Sequence, residues 1–126
     1  MSIAYSCVLI AALLPYVFTV IAKANGPGYT NIAPRLYLEK LEGWRKRAHW
    51  TQLNSFEAFP FFAAAVIIAQ QSFVHQTTVD IIAMLFIVAR VLYGICYLIN
   101  RSTLRSLVWF VGFVCCVSLF ILAAFV

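Results

Sequence analysis

Two residues stand where ionisable side chains are rare. Glu57 and Arg90 each interrupt an apolar run long enough to cross a bilayer. Ionisable groups at such depth are expensive, so by default they mark a functional site or a committed partner. Glu57 lies ten residues after Arg47, about 15 Å into its run from the basic end. Arg90 lies nine residues before Ile99, about 14 Å into the next run from that same end. Opposite charges at matching depth can pair, and an ion pair between them is the simplest expectation.

Their neighbours ask for more than one ion pair. At about 100° per residue, Arg47, Trp50, Asn54 and Glu57 fall within roughly 80° on one helix face. Arg90, Tyr93 and Tyr97 fall within roughly 60° on the next. If the faces meet, one half of the bundle holds two guanidiniums, an amide, a carboxylate and two phenols, with Arg101 and Arg105 at its mouth. Arginines hold carboxylates through paired bonds, a buried carboxylate suits an ammonium, and Tyr and Asn orient what binds. The matching ligand is a small zwitterion with more carboxylate than amine. A pocket opening sideways would let an apolar second substrate arrive through lipid.

The rest of the chain must position these groups. It has 126 residues, 64% hydrophobic and 10% charged, with a mean hydropathy of +0.95. Soluble domains average about 25% charged residues, and so short a chain cannot hide this much apolar surface in a core. The expectation is a single all-α integral membrane domain over residues 1–126, a bundle of four transmembrane helices in contact with lipid. The spans run over about 3–22, 47–70, 78–99 and 104–126, each near the ~20 residues that crossing requires. Short links join the last three, which makes them antiparallel neighbours. The first run has no preceding Lys or Arg and is longer than a signal's ~7–15 residues, so it is expected to be retained. Pro15 is expected to kink it.

The first connection is the long one. Turn signals at Asn25-Gly26-Pro27-Gly28 open it, and Pro34 to Lys46 carries apolar residues able to form an interfacial helical turn. Six of the nine basic residues (Lys23, Arg35, Lys40, Arg45, Lys46, Arg47) lie here, Arg101 and Arg105 are in or beside the third loop, and the second loop has none. By the positive-inside rule, loops one and three are cytoplasmic and both termini lie on the other side. The net charge of +5 is therefore topological, and no nucleic-acid partner is expected. Cys7, Cys96, Cys115 and Cys116 all sit in apolar runs without metal-ligand spacing, and His49 and His75 are far apart. No metal site is expected.

Several strings resemble the MAPEG family, membrane-associated proteins in eicosanoid and glutathione metabolism. Arg47-Ala48-His49 followed by Asn54-Ser55-Phe56-Glu57-Ala58-Phe59-Pro60 is similar to the signature of its second helix. Ala89-Arg90-Val91-Leu92-Tyr93, Tyr97, and Leu104-Arg105-Ser106-Leu107-Val108-Trp109 resemble its third and fourth helices, in the manner of bacterial members. The resemblance covers nearly the whole chain. It implies a homotrimer of four-helix subunits, with glutathione as co-substrate between neighbouring subunits in the cytoplasmic half. Asn54 and Glu57 would hold glutathione, Glu57 at its amino group, with Arg47, Arg90, Tyr93 and Tyr97 around the same pocket. Arg105, with Ser106, matches the position that stabilises the thiolate, and a nearby guanidinium does favour that ionised form.

The sequence departs from the pattern once. The eicosanoid-synthesising members carry Arg four residues before the Asn, and here Trp50 stands in that place. Arg45, Lys46 and Arg47, about one turn away, are the cations that could compensate; Trp50 also reads as an interfacial anchor. The expected function is a membrane-embedded, glutathione-dependent transferase or peroxidase acting on lipophilic small molecules, in the inner membrane if the source is bacterial. Two alternatives are a MAPEG-like binding or scaffold protein without catalysis, and a small proton-coupled transporter using Glu57. The long basic first loop argues against the transporter.

Overall fold

The computed structural model describes residues 1–126. Five helices follow one another: α1 (Ile3–Lys23), α2 (Pro34–Glu39), α3 (Gly43–Gln71), α4 (Gln76–Leu98) and α5 (Ser102–Ala124). All but α2 are long and apolar enough to cross a membrane, as the sequence predicts. α3 starts at Gly43 rather than near Arg47, which adds a polar turn to its basic end. It is also the least apolar span, with a mean hydropathy of 1.4 against 2.1 to 2.6 for the others. Pro34 opens α2 at its first turn, where the missing N–H is no loss.

α1 packs chiefly on α3, and α5 on α4. The shared core repeats at helical spacing: Ala4, Cys7 and Ala11 of α1 meet Phe62, Ala65, Val66 and Ala69 of α3, with Val79, Ala83 and Phe86 of α4 and Cys115, Cys116 and Leu119 of α5. Small side chains at these contacts let backbones approach closely, which is how membrane helices gain packing energy. The Phe62 and Phe86 rings stack with centroids 3.9 Å apart. At Gly94 the approach is closer still, since a Cβ there would land on the Phe18 ring.

The two ends of the bundle are tied by different chemistry. At the end holding the termini, Ser2 caps α1 by accepting from the Tyr5 N–H (3.1 Å) and donates to Gln70 Oε1 (2.7 Å). Asp80, which the sequence reading did not single out, accepts from the Ala4 N–H at 2.9 Å and from Gln76 Nε2 at 2.8 Å. A carboxylate beside free N–H groups satisfies them and complements the helix dipole. α1 is thereby fastened to α3 and α4.

At the basic end three consecutive cations each serve a different helix terminus. Arg45 Nη1 donates to the Ala22 and Ala24 carbonyls at the end of α1 (3.0 and 2.7 Å). Lys46 Nζ donates to the Leu38 and Glu39 carbonyls at the end of α2. Arg47 Nη2 donates to the Leu98 carbonyl at the end of α4 (3.1 Å). Helix C-termini leave carbonyls without partners, and cations stabilise them. α4 itself closes with Asn100 at φ 61, the Arg101 N–H returning to the Cys96 carbonyl and the Asn100 N–H to that of Tyr97. That paired pattern ends a helix sharply and sets α5 antiparallel to α4.

Candidate functional site

The site forms where α3 and α4 face each other near the basic end. Arg90 is only 4% exposed. Its Nη2 donates to Asn54 Oδ1 at 2.7 Å and, at 3.5 Å, to Ser55 Oγ. The Ser55 hydroxyl donates in turn to the Thr51 carbonyl (2.7 Å), which leaves its oxygen free to accept. A guanidinium only donates, so the Asn54 oxygen faces Arg90 and its NH2 is left for a ligand.

The ion pair expected between Glu57 and Arg90 does not form. Arg90 takes Asn54, one turn nearer the basic end of α3, while Glu57 stays exposed on the outer side of that helix. Both side chains line the same open space, but the Arg90 hydrogen bond goes to the amide.

Aromatic rings carry the arrangement outward. The Arg90 guanidinium lies 4.4 Å from the Tyr93 ring centre, and the Tyr93 and Tyr97 rings meet edge to face at 5.6 Å. Arg105 covers Tyr97 at 4.3 Å. Trp50 adjoins Tyr97 at 6.1 Å, with Lys46 Nζ 5.9 Å from the Trp50 ring. Cations over ring faces gain electrostatic energy, more so where water is scarce. Trp50, Leu53, Asn54, Glu57, Tyr93 and Tyr97 line an open hollow of about 340 Å³.

The fold therefore gathers Asn54, Glu57, Tyr93 and Tyr97 in one hollow, with Arg90 behind it and Arg105 over its Tyr97 wall. It does not bring in Arg47, whose guanidinium is committed to the end of α4. Ser106 is exposed on α5 and lines neither this hollow nor its neighbour. Arg45 and Lys46 are likewise bound to carbonyls. None of the three cations that could replace the family arginine at Trp50 points freely into the pocket.

A second cavity, of about 210 Å³, shares Asn54 and Glu57 with the hollow and continues between α3, α4 and α5. Arg90 lies on its wall with Phe61, Phe86, Trp109, Gly112, Phe113 and Cys116. Asn54, Glu57 and Arg90 are expected at a site from the sequence, but the rest of this lining is not. Its signal was present: Trp109, Gly112, Phe113 and Cys116 recur at the spacing of one helix face, but an aromatic stripe in a lipid-bound helix looks the same as packing.

Fold and site together define a four-span helical membrane protein with a polar pocket sunk into one half of its bundle. The chain belongs to the MAPEG family, whose model matches residues 3–125. Membership ties it to glutathione-related membrane chemistry in general, within a family that also has non-catalytic members. No curated protein sequence matches it.

Proposed function

We propose that the protein is a glutathione-dependent transferase, with peroxidase capacity, acting on lipophilic electrophiles. One observation carries the reading: a carboxylate, Glu57, stands exposed in mid-span at the edge of a hollow furnished with an amide and two phenols. A carboxylate is not stable against lipid. An ammonium-bearing ligand, covered by a second copy of the chain, supplies what it lacks. Family membership supports glutathione as that ligand and a homotrimer as that assembly.

In this reading Glu57 accepts from the glutathione ammonium, the Asn54 NH2 donates to a carboxylate or peptide carbonyl, and Arg90 keeps Asn54 turned the right way. Arg105 lies at the mouth and favours the thiolate over the thiol. The proton leaves to water at the basic end. The thiolate sulfur then gives its electron pair to an electrophilic carbon; the C–S bond forms and the leaving group departs with its bonding pair. With a hydroperoxide, sulfur attacks the terminal oxygen, the O–O bond breaks, and the alkoxide takes a proton from water. A second glutathione condenses with the resulting sulfenic acid to give the disulfide and water. Loops one and three face the cytoplasm, in the inner membrane if the source is bacterial, so cytoplasmic glutathione reaches the hollow.

The binding-only reading draws on the same geometry, because Trp50 and the commitment of Arg47 leave the hollow short of cations. Calorimetry with glutathione and S-hexylglutathione on the detergent-solubilised protein, native and Glu57→Gln, tests ligand identity. The expected result is saturable heat from both, weakened about tenfold by the substitution, as loss of a charge-assisted bond implies. Absence of heat from either ligand would remove glutathione from the site.

A further inference from the structure

We propose that the cavity between α3, α4 and α5 is the seat of the second substrate, and that it takes a small aromatic molecule bearing a carbonyl or nitro acceptor. This rests on the glutathione reading for the nucleophile next door, but the cavity argues its own ligand.

Arg90 has hydrogen-bond donors to spare. Both of its hydrogen bonds leave from Nη2, so the three N–H groups on Nη1 and Nε have no protein acceptor. Yet the fully buried side-chain polar atoms without a partner are Thr19 Oγ1 and Arg47 Nε, not those of Arg90. Its remaining donors therefore reach open space, and the open space that Arg90 lines is this cavity. A desolvated guanidinium with free donors attracts an oxygen acceptor.

Size and lining suit an aromatic ring. An apolar cavity of about 150 Å³ holds benzene, and this one measures about 210 Å³, which leaves room for a ring with one or two substituents. Beyond the polar end its walls are Phe61, Phe86, Trp109 and Phe113, and aromatic pairs gain energy beyond the area they bury. Trp109 and Phe113 are partly exposed at its side, so a lipid-dissolved molecule enters between α3 and α5.

Position joins the two spaces. The cavity and the hollow share Asn54 and Glu57. A ring held by Arg90 in one and a glutathione held through its ammonium by Glu57 in the other are neighbours across that wall, without either having to cross a helix.

Gly112 allows a direct test. A Cβ there would sit in ordinary contact, 3.6 Å from the Phe86 ring, so Gly112→Ala fits and a longer side chain fills the cavity. The protein is placed in lipid nanodiscs with Trp109 as its only tryptophan (Trp44→Phe and Trp50→Phe). Quenching of Trp109 by 4-bromoacetophenone, bromobenzene and 1-bromooctane is then followed. The expected result is saturable quenching by 4-bromoacetophenone, about tenfold tighter than by bromobenzene, the size of one hydrogen bond to a charged donor. Gly112→Leu should leave only the linear quenching that partition into lipid produces, while the glutathione heat is unchanged in the same variant with Trp44 and Trp50 restored.

Equal affinity for the ketone and for bromobenzene overturns the role of Arg90, and this comparison needs no cavity variant to fold. Linear quenching throughout, or preference for 1-bromooctane, overturns the aromatic site and makes the cavity a berth for lipid tails. Saturable quenching without any glutathione heat would leave the cavity standing and sink the proposed nucleophile instead.

Discussion

Arg90 decides the chemistry of the site at the scale of single residues. Its bond to Asn54 orients the amide, and its stacking on Tyr93 holds the first of two rings that line the hollow. Arg90→Lys keeps the charge but cannot donate from a planar fork. It should weaken glutathione binding about tenfold in calorimetry, with helix content by circular dichroism unchanged. Trp50 makes the opposite prediction. With Arg45, Lys46 and Arg47 all bound to backbone carbonyls, Trp50→Arg adds a carboxylate partner at the hollow's rim. Glutathione should bind about tenfold more tightly to that variant. Glu57, Asn54, Arg90 and the two tyrosines were legible in the sequence because residue type and helical period were enough to select them. Which neighbour Arg90 would choose was not. Asn54 and Glu57 are three residues apart on one face, and periodicity does not resolve a shift of one turn along the axis.

At the scale of elements, the run Arg45-Lys46-Arg47 acts as a staple. Counting charges by loop reads these residues as markers of topology, which they can be, but not as caps on α1, α2 and α4. A cap is a three-dimensional relation between a side chain and a terminus distant in sequence, so no local pattern announces it. Asp80 was missed for the same reason: its partner, the Ala4 N–H, is 76 residues away. Replacing Asp80 by Ala leaves the start of α1 without that acceptor and should destabilise the protein by about 1 kcal/mol or more. Thermal unfolding in detergent, followed by circular dichroism, measures this as a lowered Tm. The four spans were readable to within a few residues because apolar length and charge-free runs are local properties. The early start of α3 was not, since Gly43 to Lys46 is polar and joins the helix through its contacts beyond the bilayer core.

At the scale of the whole molecule, a single chain leaves an ionisable side chain uncovered in mid-span. Glu57 lies on an exposed side of α3 beside Leu53, Phe56 and Trp50, all of them more than 40% exposed. A carboxylate amid lipid-facing side chains calls for a covering partner. The proposed homotrimer would supply that partner. Light scattering of the detergent complex, corrected for bound detergent, should give three 14.2 kDa chains; a monomer that still binds glutathione would show the hollow to be complete in one chain.

Ionisation of a thiol by this membrane pocket is what the proposed function requires. Its most direct measurement is the thiolate ultraviolet absorbance that appears when glutathione is added to the purified protein near neutral pH, beside an Arg105→Ala control. A saturable signal is expected, one that largely disappears in the control while binding heat persists. Saturable binding with no thiolate signal in the native protein would contradict it and leave a membrane protein that holds glutathione without activating it.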